Sequence, residues 1–174
     1  MRTITIVPYD PIWPSQFELL ARPLRKALEG LYVEIHHVGS TAVEGLAAKP
    51  IIDIDIEIPD DANFDVVVRN LATLGYTHVG DQDVPGREVF KSDIPQPIAH
   101  HLYVCRSSSA ELKRHLVLVD YLRTHRDARD AYAKVKREAA ERYHHDIDGY
   151  LEHKGHFIQT IYKKCGLADE RDML

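Results

Sequence analysis

The run Ile52-Asp53-Ile54-Asp55-Ile56-Glu57-Ile58 admits one kind of local structure. Apolar and acidic residues alternate strictly, and a period of two belongs to a β-strand. Isoleucine favours the strand further, because its branched side chain packs well on a pleated surface. Residues 50–58 therefore read as a strand, with Ile52, Ile54, Ile56 and Ile58 on one face and Asp53, Asp55 and Glu57 on the other. The apolar face demands a covering layer. The acidic face carries like charges that repel unless solvent or a cation compensates them. An edge strand with a solvated acidic face is the plain reading. A hard divalent metal is the chemically specific one, since Mg²⁺ binds through one or two carboxylates plus substrate phosphates.

The residues just before this strand fit the specific reading. His37-Val38-Gly39-Ser40-Thr41 ends a strand expected over 32–38 in a Gly-Ser turn, and Lys49-Pro50 leads into the acidic strand. Backbone N–H groups in such a turn can receive phosphate oxygens, and glycine allows the close approach. Thr41 lies in the same turn, and Lys49 offers a point charge. On its own a Gly-Ser dipeptide is only a turn; its order relative to Asp53 and Asp55 makes it a candidate phosphate site.

The rest of the chain supplies an α/β (α+β) framework. Residues 3–7 alternate Thr and Ile and read as a short strand. Phe17, Leu20, Leu24 and Leu28 recur at helical spacing after Pro14, and Pro23 should kink or restart that helix. A helix with Phe64, Val67, Val68, Leu71 and Leu74 on one face should end at Gly75. Shorter strands are expected over 76–79, 87–91 and 100–105. From Ser109 the pattern turns helical: Leu112, Leu116, Val119 and Leu122 mark one helix, Ala131, Tyr132, Val135 and Ala139 a second, and Tyr150, Leu151, Phe157, Ile158 and Ile161 a third. One unit over 1–174 is expected, with a sheet part at about 1–106 and a helical part at about 107–168.

Composition removes several function classes. The chain has 174 residues and a net charge of −5, a poor balance for gripping nucleic acid. No apolar run approaches a membrane span, and the start is too short and polar for a signal peptide. Two lone cysteines, Cys105 and Cys165, suit a reduced, cytoplasmic protein and form no zinc motif. Eleven histidines invite a zinc reading. The pairs His36-His37 and His100-His101 lie on strands, however, where neighbours point to opposite faces.

Val38-Gly39-Ser40-Thr41-Ala42-Val43, with Gly45-Leu46, Lys49-Pro50 and Ile52-Asp53-Ile54, resembles the signature of the GrpB family. Tyr9-Asp10-Pro11 with Trp13, His101-Leu102-Tyr103-Val104 and Asp120-Tyr121-Leu122-Arg123 are similar to further parts of it. So are Tyr132, Lys136, Tyr150, Lys154 and Phe157-Ile158 in the helical tail. Three positions depart from the family pattern: Glu44 stands for a usual proline, Tyr103 for a common histidine and Val119 for a frequent arginine. The resemblance implies a nucleotidyltransferase-like mixed sheet flanked by helices, with Asp53 and Asp55 holding Mg²⁺ (or Mn²⁺). Gly39, Ser40, Thr41 and Lys49 would then receive the phosphates of a nucleoside triphosphate. A small-molecule acceptor is implied, with His101 or Glu57 as candidate for activating its hydroxyl. Relatives fused to dephospho-coenzyme A kinases suggest a link to coenzyme A metabolism. A nucleotide-binding regulatory module without turnover and a structural interaction protein are the alternative functions.

Overall fold

The computed structural model describes residues 3–167. Five strands, β1 (Glu34–Val38), β2 (Ile52–Ile58), β3 (Tyr76–His78), β4 (Glu88–Ser92) and β5 (His100–Arg106), form one mixed sheet. Their spatial order is β1-β2-β5-β4-β3. β2 pairs antiparallel with β1 and parallel with β5, and the other pairings are antiparallel. The acidic strand is therefore interior, which overturns the solvated-edge reading. Its acids face a second layer of protein.

Helices cover both faces of the sheet, giving an α/β fold. α1 (Trp13–Ala27) and α2 (Phe64–Ala72) lie on the isoleucine face. There Phe17, Leu20, Leu24, Val67 and Leu71 pack with Ile52, Ile54, Ile56 and Ile58. All four isoleucines are essentially inaccessible. Burial of this kind stabilises by about 1.5–3 kcal/mol per side chain. α3 (Ala110–Thr124), α4 (Arg126–Arg142) and α5 (Ile147–Lys164) form the layer on the acidic face. Val119, Leu122, Tyr132 and Ile161 from these helices pack on Val38, Val43 and Leu46 around the end of β1.

Two local expectations are corrected. Residues 3–7 do not form a strand: only Val7 bridges, antiparallel, to Ala48. Pro8 follows and has no N–H with which to extend a ladder. The segment instead runs against the helical layer, where the Ile4 N–H donates to the His144 carbonyl at 3.0 Å. α1 also runs through Pro23 without restarting. Pro23 is exposed, so the intrahelical bond it deletes lies on the wet side of the helix. Elsewhere the short strands and the helices fall where the residue periods place them. β5 ends at Arg106 and α3 begins at Ala110. Of the expected unit over 1–174, residues 1–2 and 168–174 lie outside the described residues. Among the described residues no helix is long and apolar enough to cross a membrane.

Candidate functional site

Sheet register builds the floor of the site. Val38, Asp53 and His101 are cross-strand partners in one row, and His36, Asp55 and Tyr103 in the next. β1 ends at Val38, and Gly39 swings the chain into a single helical turn over Ser40–Ala42. Gly39 has φ +71° and ψ −170°. That combination is essentially confined to glycine. A Cβ there would stand 3.0 Å from Asp53 Cγ and closer still to Oδ2. The bare backbone thus lets the Gly-Ser turn lie directly against the Asp53 carboxylate.

Each acid of β2 is paired with a histidine. His101 Nδ1 donates to Asp53 Oδ1 at 2.8 Å. His115 Nδ1, from α3, donates to Asp55 Oδ2 at 2.6 Å. His36 Nε2 donates to Glu57 Oε2 at 2.8 Å, and Ser107 Oγ donates to Glu57 Oε1 at 2.7 Å. Burial opposes ionisation of Glu57, but the bonds from His36 and Ser107 outweigh it and hold the carboxyl below its usual range. Burial likewise works against a proton on His115. The Asp55 hydrogen bond and the charges of Asp55, Glu111 and Asp53 prevail, and its pKa is raised. Asp55 is 0% exposed, and its Oδ1 is a buried oxygen with no hydrogen-bond partner.

Above this floor lies a cleft of about 210 Å³. Asp53 and Tyr103 line it from the sheet, Gly39 and Ser40 from the turn after β1, Arg87 from the loop before β4, and His115, Tyr132, Lys154 and Tyr162 from the helices. Ser40 and Tyr132 share a side-chain hydrogen bond, and burial raises the Tyr132 pKa. Burial also pushes the Tyr103 phenol up to about 12, with the Asp53 charge adding to it, so this ring stays neutral. The Arg87 guanidinium lies over the Tyr103 ring at 4.7 Å, with its Nε buried and unpartnered. Lys154 has a lowered pKa, because burial penalises its charge more than Asp53 restores it. The Asp53 carboxylate and the basic side chains of Arg87 and Lys154 therefore line the same cleft. A larger cavity of about 490 Å³, among the ends of α3 and α5 and the start of α4, contains none of these residues.

The sequence-derived candidates divide by position. Asp53, Gly39 and Ser40 meet at the cleft. His101 touches Asp53, and Asp55 lies deeper, against His115. Thr41 is buried: its hydroxyl pairs with His37 Nε2 at 3.0 Å and with the Ile51 carbonyl. Lys49 is not among the cleft-lining residues; its Nζ lies over the Tyr150 ring at 5.1 Å. Glu57 is engaged at the far end of β2. The three departures also have places. The Glu44 carbonyl accepts from Arg129 Nη1 at 3.2 Å, Tyr103 supports Arg87, and Val119 is buried beside the cleft.

Three contributors escaped the sequence reading. His115 left a trace: it stands three residues after Leu112 and four before Val119, within the apolar stripe of α3. A polar residue at such a position is a flag. Lys154 was legible as part of the helical-tail resemblance and as a helix charge, with no role at the site. Nothing local marks Arg87, which reaches the cleft through tertiary folding. Asp53 and Asp55 can offer a cation one hard oxygen each. Among the described residues no three His, Cys, Asp or Glu side chains gather as a self-sufficient metal cage.

The mixed sheet in the order β1-β2-β5-β4-β3, with helices on both faces, defines the fold. Chains from two solved structures share it. One from the GLD-2/RNP-8 complex has a TM-score of 0.59 at 13% identity, covering 93% of this chain and 63% of that one. The Cid1 poly(U) polymerase has a TM-score of 0.53 at 13% identity, covering 80% and 44%. At such identities the likeness concerns the fold alone. The family described as GrpB protein matches residues 3–164, and the chain belongs to that family. It is 36% identical over 167 residues to the UPF0157 protein BH1888 of Halalkalibacterium halodurans, covering 94% of this chain and 83% of that protein. The crystal structure of GrpB from Enterococcus faecalis has a TM-score of 0.81 at 31% identity, covering 92% and 96%. A dephospho-CoA kinase of Mycolicibacterium paratuberculosis is 30% identical over 188 residues; the match covers 93% of this chain but 46% of the kinase.

Proposed function

We propose that this protein transfers a nucleotidyl group from a nucleoside triphosphate to a small-molecule acceptor, with Mg²⁺ or Mn²⁺ as cofactor. The observation that carries the reading is the convergence of Gly39-Ser40, the Asp53 carboxylate, Arg87 and Lys154 on one small cleft. The orphaned Asp55 Oδ1 and the Asp53 Oδ2 against Gly39 are the oxygens that fit a hard divalent cation. When bound, that cation supplies charge compensation at the attacking and leaving oxygens of phosphoryl transfer. The protein's own groups do the rest. Backbone N–H groups at Gly39 and Ser40 receive phosphate oxygens, as such turns do. Lys154 and Arg87 neutralise further phosphate charge; Arg87 presents a planar fork suited to phosphate.

His101 has the geometry of a proton acceptor. In the neutral ring, with Nδ1–H donating to Asp53, the lone pair is on Nε2. The acceptor hydroxyl oxygen forms a bond to the α-phosphorus, the bond to pyrophosphate breaks, and the hydroxyl proton passes to His101 Nε2. Coenzyme A precursors are the acceptor class to try first, given the likeness to part of a dephospho-CoA kinase. A second reading, nucleotide binding without turnover, draws support from the donor set: among the described residues no group of three or more His, Cys, Asp or Glu side chains is placed to hold a metal ion.

The test is thermal shift with Mn²⁺ and each nucleoside triphosphate, followed by pyrophosphate release across an acceptor panel that includes dephospho-coenzyme A. Metal-dependent stabilisation that disappears in Asp53→Asn, with pyrophosphate release, is the expected result. Stabilisation without release favours the binding module. No stabilisation by any metal–nucleotide pair overturns both readings.

A further inference from the structure

Asp55 is held in an unusual way. It is wholly buried in an interior strand, and only one of its two oxygens is satisfied. A buried carboxylate oxygen without a partner is costly. Neither cross-strand partner donates to that oxygen: His36 turns to Glu57, and the Tyr103 ring lies under Arg87. Among the described residues, the one hydrogen bond the Asp55 carboxylate accepts comes from another layer of the protein, from His115 Nδ1 on α3. The His115 ring is itself confined: it lies 6.3 Å from the Tyr103 ring and lines the cleft.

We infer that His115 is a positioning residue for cation binding: by holding Asp55 Oδ2 it fixes the carboxylate so that Oδ1 is the oxygen left to a divalent metal. The inference rests on the reading of Asp53 and Asp55 as the metal ligands. Its chemical basis is the outer layer common to metal sites, in which ligating carboxylates are themselves hydrogen-bonded. His115 never touches the metal in this arrangement. Its contribution is to remove the rotational freedom of Asp55 and to leave a single unsatisfied oxygen on the strand face that Asp53 shares. The donor arrives from α3, so the helical layer takes part in building a site whose ligands lie wholly on the sheet.

The experiment is Mn²⁺ titration of the whole chain by electron paramagnetic resonance, with no nucleotide needed. Melting temperatures are recorded on the same metal-free samples. Asparagine at 115 places an amide N–H close to where the histidine Nδ1–H stands. Glutamine carries the same group one carbon further out, and phenylalanine keeps a ring without a donor. His115→Asn is expected to bind Mn²⁺ within about threefold of the parent, and His115→Gln and His115→Phe about 10- to 100-fold more weakly, the range typical of lost outer-layer partners. Equal affinities for the Asn and Gln variants overturn the inference, as does parental or tighter binding by His115→Phe, which would make the ring a shield over Asp55. If His115→Phe does not fold, the Asn–Gln pair decides alone. A merely structural role would lower affinity only in step with the metal-free melting temperature. Failure of the underlying reading looks different: the parent binds no Mn²⁺, or Asp53→Asn and Asp55→Asn bind as the parent does. In that case both fall together.

Discussion

Replacing Gly39 with alanine adds a single methyl group and should damage both stability and the site. The backbone there sits at φ +71°, ψ −170°. Holding a side-chain-bearing residue in that region costs about 1–3 kcal/mol. The added Cβ also lands 3.0 Å from Asp53 Cγ and nearer to Oδ2, which pushes the carboxylate away from the turn. That movement strains the hydrogen bond from His101 to Asp53. Because His101 is about half exposed, water replaces much of what is lost, and this part adds only about 1 kcal/mol. The sum is about 2–4 kcal/mol, or roughly 4–16 °C in melting temperature for a chain of this size. Gly30→Ala is the control. It has φ +76° but open space around the site of a Cβ, so it reports the cost of a positive φ without the contact. Urea unfolding gives the stability difference, and Mn²⁺ titration of the folded variants reports Asp53. If Gly39→Ala is no less stable than Gly30→Ala, or binds Mn²⁺ with parental affinity, the close approach of turn and carboxylate is not what organises the cleft.

Other perturbations read other parts of the structure. Lys136 is 1% exposed, and its Nζ donates to the Ala47 carbonyl. Burial, together with the neighbouring charge of Lys154, lowers its pKa to about 6. An unfolded lysine keeps its proton to about pH 10. Between pH 6 and pH 10 the unfolded chain therefore binds the extra proton, and the contribution of this group to stability rises with pH by at most about 1.4 kcal/mol per unit. The stability of Lys136→Met relative to the parent should accordingly fall as pH rises from 7 to 9; a constant gap in urea unfolding would contradict the buried, depressed lysine. Cys105 is buried, and burial pushes its thiol up to about 12, whereas Cys165 is exposed. A disulfide reagent at pH 8 should titrate Cys165 at once and Cys105 only on unfolding; rapid reaction of both thiols would refute the packing of β5. Ile54→Ala should cost about 2–5 kcal/mol, because the residue is wholly buried between the sheet and α1. A loss under about 1 kcal/mol would mean that the isoleucine face is not tightly packed.

The amino-acid sequence by itself determined the acidic strand, the turn before it and the helical third of the chain. These are local matters: a period of two or of 3.6, a glycine or a proline, each acting over a few residues. It also determined which side of β2 faces oil, since isoleucine alternation leaves one choice. Only the tertiary structure decided that the acids point into protein rather than water, because that depends on α3, α4 and α5 packing over the acidic face of β2. It alone decided which cations reach the cleft. Lys49, close in sequence to Asp53, lies over Tyr150, while Arg87 and Lys154 arrive from a distant loop and helix. It alone paired each acid with its histidine, through strand register for His101 and His36 and through helix packing for His115. Side chains far apart along the chain meet only when layers pack, and no spacing rule in one segment records which residue a neighbouring layer will bring.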